Sequence, residues 1–108
     1  MELSEYQRIS RSTAHYPRTE SLTYPALGLA GEAGEFADHA KKVIRDDRGE
    51  VTAERREAMA KELGDVLWYV AQLATELELE LEEIAQQNLE KLLSRQRRGV
   101  LSGSGDDR

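Results

Sequence analysis

Two long segments of this chain carry apolar residues at intervals of three and four, the spacing that places side chains on one face of an α-helix. The first begins near Thr23 to Pro25 and ends near Arg45, and the second extends from an N-cap at Thr52 to about Leu77. Their apolar stripes contain Leu29, Ala33, Phe36, Ala40 and Val43 in the first segment and Met59, Leu63, Val66, Val70, Leu73 and Leu77 in the second. This pattern predicts two long amphipathic helices.

Shorter helical patterns flank the two long segments. A first helix is expected from Ser4 to about Ala14, with Ser4 and Gln7 spaced as a capping box. A last helix carries Leu81, Ile84, Ala85, Leu89 and Leu92. At its start lies the stretch Glu78–Glu82, whose alternation of Glu and Leu resembles a short strand. Because this stretch lies between two helical patterns and has no partner strand, it is interpreted as a tight join between helices.

The predicted elements form one domain. The last helix is expected to end near Arg97, because Gly99 and a Ser-Gly-Ser-Gly stretch follow it. The predicted fold class is all-α, a bundle of about four helices over residues 1–98 with a flexible tail over residues 99–108. Only 39% of the 108 residues are hydrophobic and 33% are charged, so the core of one chain is modest. A homo-oligomer, dimer or tetramer, is therefore expected.

Composition also argues against several classes of function. The net charge of −6 disfavours binding to long nucleic acid, which depends on many Lys and Arg side chains. The chain has no cysteine, which excludes disulfides, zinc thiolates and thiol nucleophiles. No apolar stretch approaches the ~20 residues of a membrane span, and the N-terminus lacks the pattern of a secretion signal. A cytoplasmic protein without membrane contact is expected.

Acidic pairs of similar spacing occur in both long helices. Glu32 and Glu35 share one face of the first, and Glu62 and Asp65 share one face of the second, each beside the apolar stripe. Four carboxylates that converge repel one another unless a cation binds between them, so the pattern predicts a Mg²⁺ site, with Mn²⁺ as a substitute. The alternative is that both pairs belong to solvated surface, where such spacing is common.

Side chains suited to phosphate follow a separate stripe. Asn88, Lys91 and Arg95 share one face of the last helix, and Lys42 shares the acidic face of the first long helix. Ammonium, guanidinium and amide groups all donate hydrogen bonds to phosphate oxygens. His39, one turn beyond the first acidic pair, is interpreted as a hydrogen-bonded neighbour, because Mg²⁺ prefers oxygen ligands. Carboxylates for a metal and cations for phosphates are a recurrent arrangement in phosphoryl transfer.

At these residues the sequence resembles the MazG-like all-α nucleoside triphosphate pyrophosphohydrolases, relatives of the dimeric dUTPases and of phosphoribosyl-ATP pyrophosphatase. The resemblance rests on residues 26–38, 61–71 and 88–95, and it covers about residues 3 to 97. The acidic signature of that family, Glu-x-x-Glu followed by Glu-x-x-Asp, is matched at Glu32, Glu35, Glu62 and Asp65.

The resemblance implies an activity as well as a fold. It implies Mg²⁺-dependent hydrolysis of a nucleoside triphosphate, a dNTP or a non-canonical NTP, to the monophosphate and pyrophosphate, which removes unwanted nucleotides. The four carboxylates then bind the metal, and the phosphates are held by Lys42, Asn88, Lys91 and Arg95. Many relatives carry a second glutamate where this chain has Gly31, so the catalytic role is expected to fall to Glu35 or Glu32, or to need no side-chain base.

Two other functions stay open at this point. The first keeps the chemistry but takes phosphoribosyl-ATP as the substrate. The second is a non-catalytic acidic helical module for oligomerisation or regulation. Intact acidic pairs together with the stripe on the last helix favour the enzyme, because a chain released from catalysis is expected to lose some of them.

Overall fold

Four α-helices and one short 3₁₀ turn make up the computed structural model, which describes residues 1–108. There is no strand, and the fold is all-α as predicted. The helices are α1, α2, α3 and α4, which span Leu3–Arg11, Thr23–Asp46, Ala53–Glu76 and Leu81–Arg98; the 3₁₀ turn spans Arg18–Glu20. None of the four helices combines the length and the apolar character that a membrane crossing needs.

The ends of the long helices follow local signals in the sequence. The Thr52 hydroxyl oxygen accepts a hydrogen bond of 3.1 Å from the backbone N–H of Arg55, which confirms the predicted N-cap of α3. Helix α4 ends at Gly99, whose φ of 71° lies in the left-handed region that favours glycine. Both boundaries were predicted within a residue or two.

The join between α3 and α4 is a tight turn, as predicted for this stretch. Glu78 has a φ of 57°, and the backbone N–H of Leu79 donates to the Ala74 carbonyl at 2.8 Å. The N–H of Glu78 also donates to the Thr75 carbonyl at 3.0 Å, which completes a Schellman motif. A glutamate thus occupies the left-handed position where glycine or asparagine is usual.

The predicted capping box at Ser4 and Gln7 is wrong. The N-cap of α1 is Glu2, and its side chain makes no capping hydrogen bond. Gln7 instead bridges to the α3–α4 join, where its amide nitrogen donates to the Leu79 carbonyl at 2.9 Å and its amide oxygen accepts from the Leu81 N–H at 2.8 Å. A side-chain amide carries both a donor and an acceptor, so one residue satisfies two backbone groups left free at the turn.

Helix α1 ends at Arg11, earlier than the predicted Ala14. The hydroxyls of Ser12 and Thr13 donate to the carbonyls of Ile9 and Ser10, each at 2.7 Å. Such local side-chain bonds compete with the helical ladder, which explains the early end of the helix.

The main packing is between α2 and α3, while α1 lies on α3 and contacts α4. Gly28 of α2 allows close approach of the Tyr69 ring, since a Cβ there would lie only 2.8 Å from the ring atom Cδ1 and closer still to two others. The apolar core of one chain is small and consists of Val43, Ala71, Ala74 and Leu81. Leu63 and Leu77 of the predicted α3 stripe remain 55% and 54% exposed. A single chain therefore leaves much of its apolar helical surface uncovered.

Candidate metal centre

Three carboxylates from two helices meet in the α2–α3 interface. Glu32 and Glu35 come from one face of α2, and Glu62 comes from the facing side of α3. One carboxylate oxygen of each lies within 4.8 Å of the others. Three anionic oxygens at this separation surround a point that a hard divalent cation could occupy.

Glu62 is the most strongly perturbed member of this cluster. Hydrogen bonding with Glu32 first, then burial, hydrogen bonding with Glu35 and the charges of both neighbours together raise its pKa to about 7. When the three carboxylates are ionised, its buried Oε2 atom receives no hydrogen bond from any N–H or O–H group of the chain. A buried carboxylate oxygen without a donor is costly, and a bound cation removes that cost. The residues present therefore fit a divalent metal.

A further set of polar side chains lies behind the carboxylates. His39 Nε2 is 3.9 Å from Glu62 Oε1, and His39 Nδ1 is 3.1 Å from Arg55 Nη1. Arg55 in turn donates from Nε to Asp47 Oδ2 at 2.9 Å. His39 is therefore a neighbour of the cluster, but its hydrogen bond is to Arg55 and not to a carboxylate. Arg55 and Asp47 were not anticipated, although Arg55 precedes Glu62 by seven residues, two helical turns on the same face.

Asp65, the fourth residue of the acidic signature, is exposed and lies outside the group of three. Its charge acts on two tyrosines. Burial, and then Asp65, raise the pKa of Tyr6. The pKa of Tyr69 is raised by burial first and then by Tyr24, Glu32 and Asp65. The charges of Asp65 and Glu32 thus both act on Tyr69, while the role of Asp65 as a ligand stays a prediction.

Lys42 is paired with a carboxylate of its own helix. Its Nζ atom lies 3.0 Å from Asp38 Oδ2, while Lys41 Nζ lies 2.7 Å from Asp38 Oδ1. Hydrogen bonds from Lys41 and then Lys42 lower the pKa of Asp38 to about 2. The ammonium group of Lys42 is therefore bound to Asp38 rather than to the acidic cluster.

The polar stripe of α4 contacts the C-terminal residues. Lys91 Nζ lies 2.8 Å from Asp106 Oδ1, and the buried Arg95 guanidinium donates to the carbonyl of Asp106 and lies 3.4 Å from its Oδ1. These cations, Lys91 first, lower the pKa of Asp106. Asn88 is exposed on the same helix. No hydrogen bond or ion pair joins these residues to the carboxylate cluster within one chain.

The largest surface cleft, about 400 Å³, is separate from the acidic cluster. It lies between α1 and the α3–α4 join and is lined by Ser4, Gln7, Arg8, Arg11, Thr75 and Glu80. Its lining contains none of the clustered carboxylates, so the candidate metal centre lies outside the largest cleft.

Comparison of the sequence with known protein families assigns the chain to one of them. Residues 20–100 match the sequence model of the MazG nucleotide pyrophosphohydrolase domain. The chain belongs to the MazG family. The matched range of the MazG domain includes every candidate ligand and phosphate-binding residue named above, whereas α1 and Asp106 lie outside it.

A phage protein shares the whole length of the chain. The Gene 37 protein of Mycobacterium phage L5 is 48% identical over 114 residues, and the alignment covers 100% of both sequences. No solved structure matches the chain significantly. The MazG assignment therefore rests on the sequence, and the all-α fold is consistent with it.

Proposed function

We propose that this MazG domain hydrolyses a nucleoside triphosphate, a dNTP or a non-canonical NTP, to the monophosphate and pyrophosphate in a Mg²⁺-dependent reaction. The observation that carries the proposal is the cluster of Glu32, Glu35 and Glu62, with one buried carboxylate oxygen that lacks any donor. Family membership supplies the reaction class. Removal of unwanted nucleotides from the cytoplasmic pool is the role that suits such a reaction.

The metal is proposed to bind the three clustered carboxylates, with Asp65 as a fourth ligand. When bound, Mg²⁺, or Mn²⁺ in its place, promotes ionisation of an attacking water and neutralises charge on the leaving phosphates. Glu35 is the exposed member of the cluster, so it can reach a substrate water and accept its proton. Glu32 and Glu62 are partly buried and are better placed to hold the cation.

The triphosphate is proposed to contact Lys42, Asn88, Lys91 and Arg95. Lys91 and Arg95 already bind a carboxylate, that of Asp106, and a phosphate would replace one anion by another. Helix α4 packs on α1 and α3 and makes no ion pair to the acidic cluster of its own chain. We therefore propose that a second protomer contributes to each site.

Exposed leucines support a homo-oligomer, dimer or tetramer. We expect the wild-type protein to have at least twice the 12.2 kDa mass of one chain, measured by light scattering during gel filtration. Leu63→Glu places a charge on the exposed α3 stripe and is expected to shift the mass toward one chain. Val51→Glu is the control, because Val51 is 51% exposed in the loop before α3. A wild-type mass of 12.2 kDa would refute the assembly.

Pyrophosphate release from canonical and modified dNTPs and NTPs tests the activity. We expect Mg²⁺-dependent release by the wild type and none above background by Glu62→Gln/Asp65→Asn. Glu57→Gln is the control, since this exposed residue of α3 lies about 140° around the helix from Glu62. If the wild type releases pyrophosphate from no nucleotide, the proposal fails. Phosphoribosyl-ATP is then the next substrate to examine. If it is not hydrolysed either, a non-catalytic helical module becomes the favoured function.

A further inference from the structure

A continuous path of polar side chains leads from the loop between α2 and α3 to the acidic cluster. It begins at Asp47, passes through Arg55 and His39, and ends at Glu62, with atom separations of 2.9, 3.1 and 3.9 Å. The four side chains are only 15% to 21% exposed. An ordered and largely buried path of this kind is unlike the solvated ion pairs elsewhere on the surface.

The chemistry of arginine gives the path a direction. A guanidinium group carries only donors, so the hydrogen bond from Arg55 requires His39 Nδ1 to be the acceptor. The ring proton of His39 then resides on Nε2, the nitrogen that faces Glu62 Oε1. Arg55 therefore selects the tautomer that presents an N–H to one oxygen of Glu62.

The two oxygens of Glu62 consequently differ. Oε1 faces His39, and Oε2 is buried without a protein donor. The positive end of the His39 N–H dipole, 3.9 Å from Oε1, favours the carboxylate orientation in which Oε1 faces the ring, and this orientation leaves Oε2 available for a cation. In known metal sites, partners behind the ligands typically change metal affinity 10- to 100-fold.

The path is anchored at the ends of the two helices that carry the cluster. Asp47 is the C-cap of α2, and its backbone N–H bonds to the Val43 carbonyl at 3.2 Å. Arg55 lies in the first turn of α3, where Thr52 accepts its backbone N–H. Because both anchors are part of regular helix ends, the guanidinium has little freedom to leave His39.

We propose that Arg55 and His39, with Asp47 behind them, are positioning residues that orient the Glu62 carboxylate for metal binding. This inference rests on the proposed metal centre and deepens it. None of the three residues needs to touch the metal or the nucleotide. Their contribution is to hold the His39 ring in place, with its Nε2–H directed at Glu62 Oε1 from 3.9 Å.

The chain provides a matched control for Arg55. Arg45 and Asp46 form a similar pair, with Arg45 Nη2 and Asp46 Oδ2 2.8 Å apart, at the same end of α2. Their side chains are 60% and 45% exposed, and they form no hydrogen bond or ion pair with His39 or Glu62. Removing Arg45 therefore removes an Arg–Asp pair without touching the path.

The test measures Mn²⁺ binding to the full chain in the absence of nucleotide. The electron paramagnetic resonance signal of free Mn²⁺ reports how much of the metal remains unbound. Arg55→Met is expected to weaken Mn²⁺ binding about tenfold or more, while Arg45→Met stays within twofold of the wild type. Thermal unfolding in EDTA establishes that each variant is folded. Wild-type affinity in folded Arg55→Met overturns the inference and leaves the metal centre intact.

Two further variants separate positioning from general stability. Arg55→Lys keeps the charge, but one ammonium group cannot contact Asp47 and His39 at once as the guanidinium does. The same loss of Mn²⁺ affinity is therefore expected for Arg55→Lys. This variant serves as the test if Arg55→Met does not fold. His39→Leu is expected to lose affinity as well, whereas His39→Gln, whose amide both accepts and donates, retains most of it. Equal affinity of the two His39 variants would contradict the inference. Absence of Mn²⁺ binding by the wild type would instead refute the metal centre itself.

Discussion

Glu35→Gln is expected to reduce the rate of pyrophosphate release by at least about 10²-fold, the usual loss when a carboxylate that moves a proton in the reaction is removed. Glu35 is the exposed carboxylate of the cluster, so it is the member best placed to reach a substrate water. At the position of Gly31, where the family resemblance implies a second glutamate, this chain has no side chain. A Cβ at Gly31 would meet nothing within 4 Å, so packing does not require the glycine.

The metal dependence of the variant shows which role Glu35 has. Initial rates are measured over a range of Mg²⁺ and Mn²⁺ concentrations, with Glu57→Gln as the control on exposed α3 surface. If Glu35 acts only as a ligand, saturating metal restores kcat; if it accepts the proton, kcat stays low at every metal concentration. Retention of most of the activity at low metal would contradict both roles.

The part of this molecule that sequence predicts well is the part governed by local rules. The apolar spacing of α2 and α3 and the hydroxyl of Thr52 act within a few residues, and their consequences appear in the structure. The spacing of three residues between Glu32 and Glu35 likewise places both on one helical face. Sequence separation sets the angle between two side chains around a helix, so it defines which residues share a face. It does not define what that face contacts.

Contacts between elements follow from tertiary packing, and several were not foreseen. The wheel places Glu62 and Asp65 on one stripe, yet only Glu62 reaches the α2 carboxylates. Gln7 carries a sequence pattern for a cap but bonds to the α3–α4 join, about 70 residues away in sequence. Arg95 is suited to phosphate, and the structure gives it Asp106 as an anion. Each of these contacts depends on which residues the tertiary fold brings close together, and a local sequence pattern does not contain that information.

The metal-free protein is expected to lose stability as the pH rises from about 4.5 to about 7, because of Glu62. In the folded chain, hydrogen bonding with Glu32, burial and Glu35 raise the pKa of Glu62 from 4.5 to about 7. Folding therefore favours the protonated acid, so its stabilising contribution is complete below pH 4.5 and disappears as the pH passes 7. The lowered pKa values of Glu76, hydrogen-bonded by Tyr16, and of Asp106, hydrogen-bonded by Lys91, act oppositely at acid pH.

Comparison of the wild type with Glu62→Gln isolates this carboxylate, because Glu76 and Asp106 are present in both. In EDTA, the Tm difference between the two proteins is expected to change between pH 4.5 and 7, with the variant the more stable above pH 7. Adding Mg²⁺ at about 100 times its Kd should raise the wild-type Tm at pH 8 by on the order of 10 °C. The Tm of Glu62→Gln should rise much less on addition of Mg²⁺, because this variant lacks the carboxylate that is proposed to bind the metal. Parallel pH curves in EDTA would show that folding does not raise the pKa of Glu62, and equal Mg²⁺ shifts in both proteins would show that Glu62 is not a ligand.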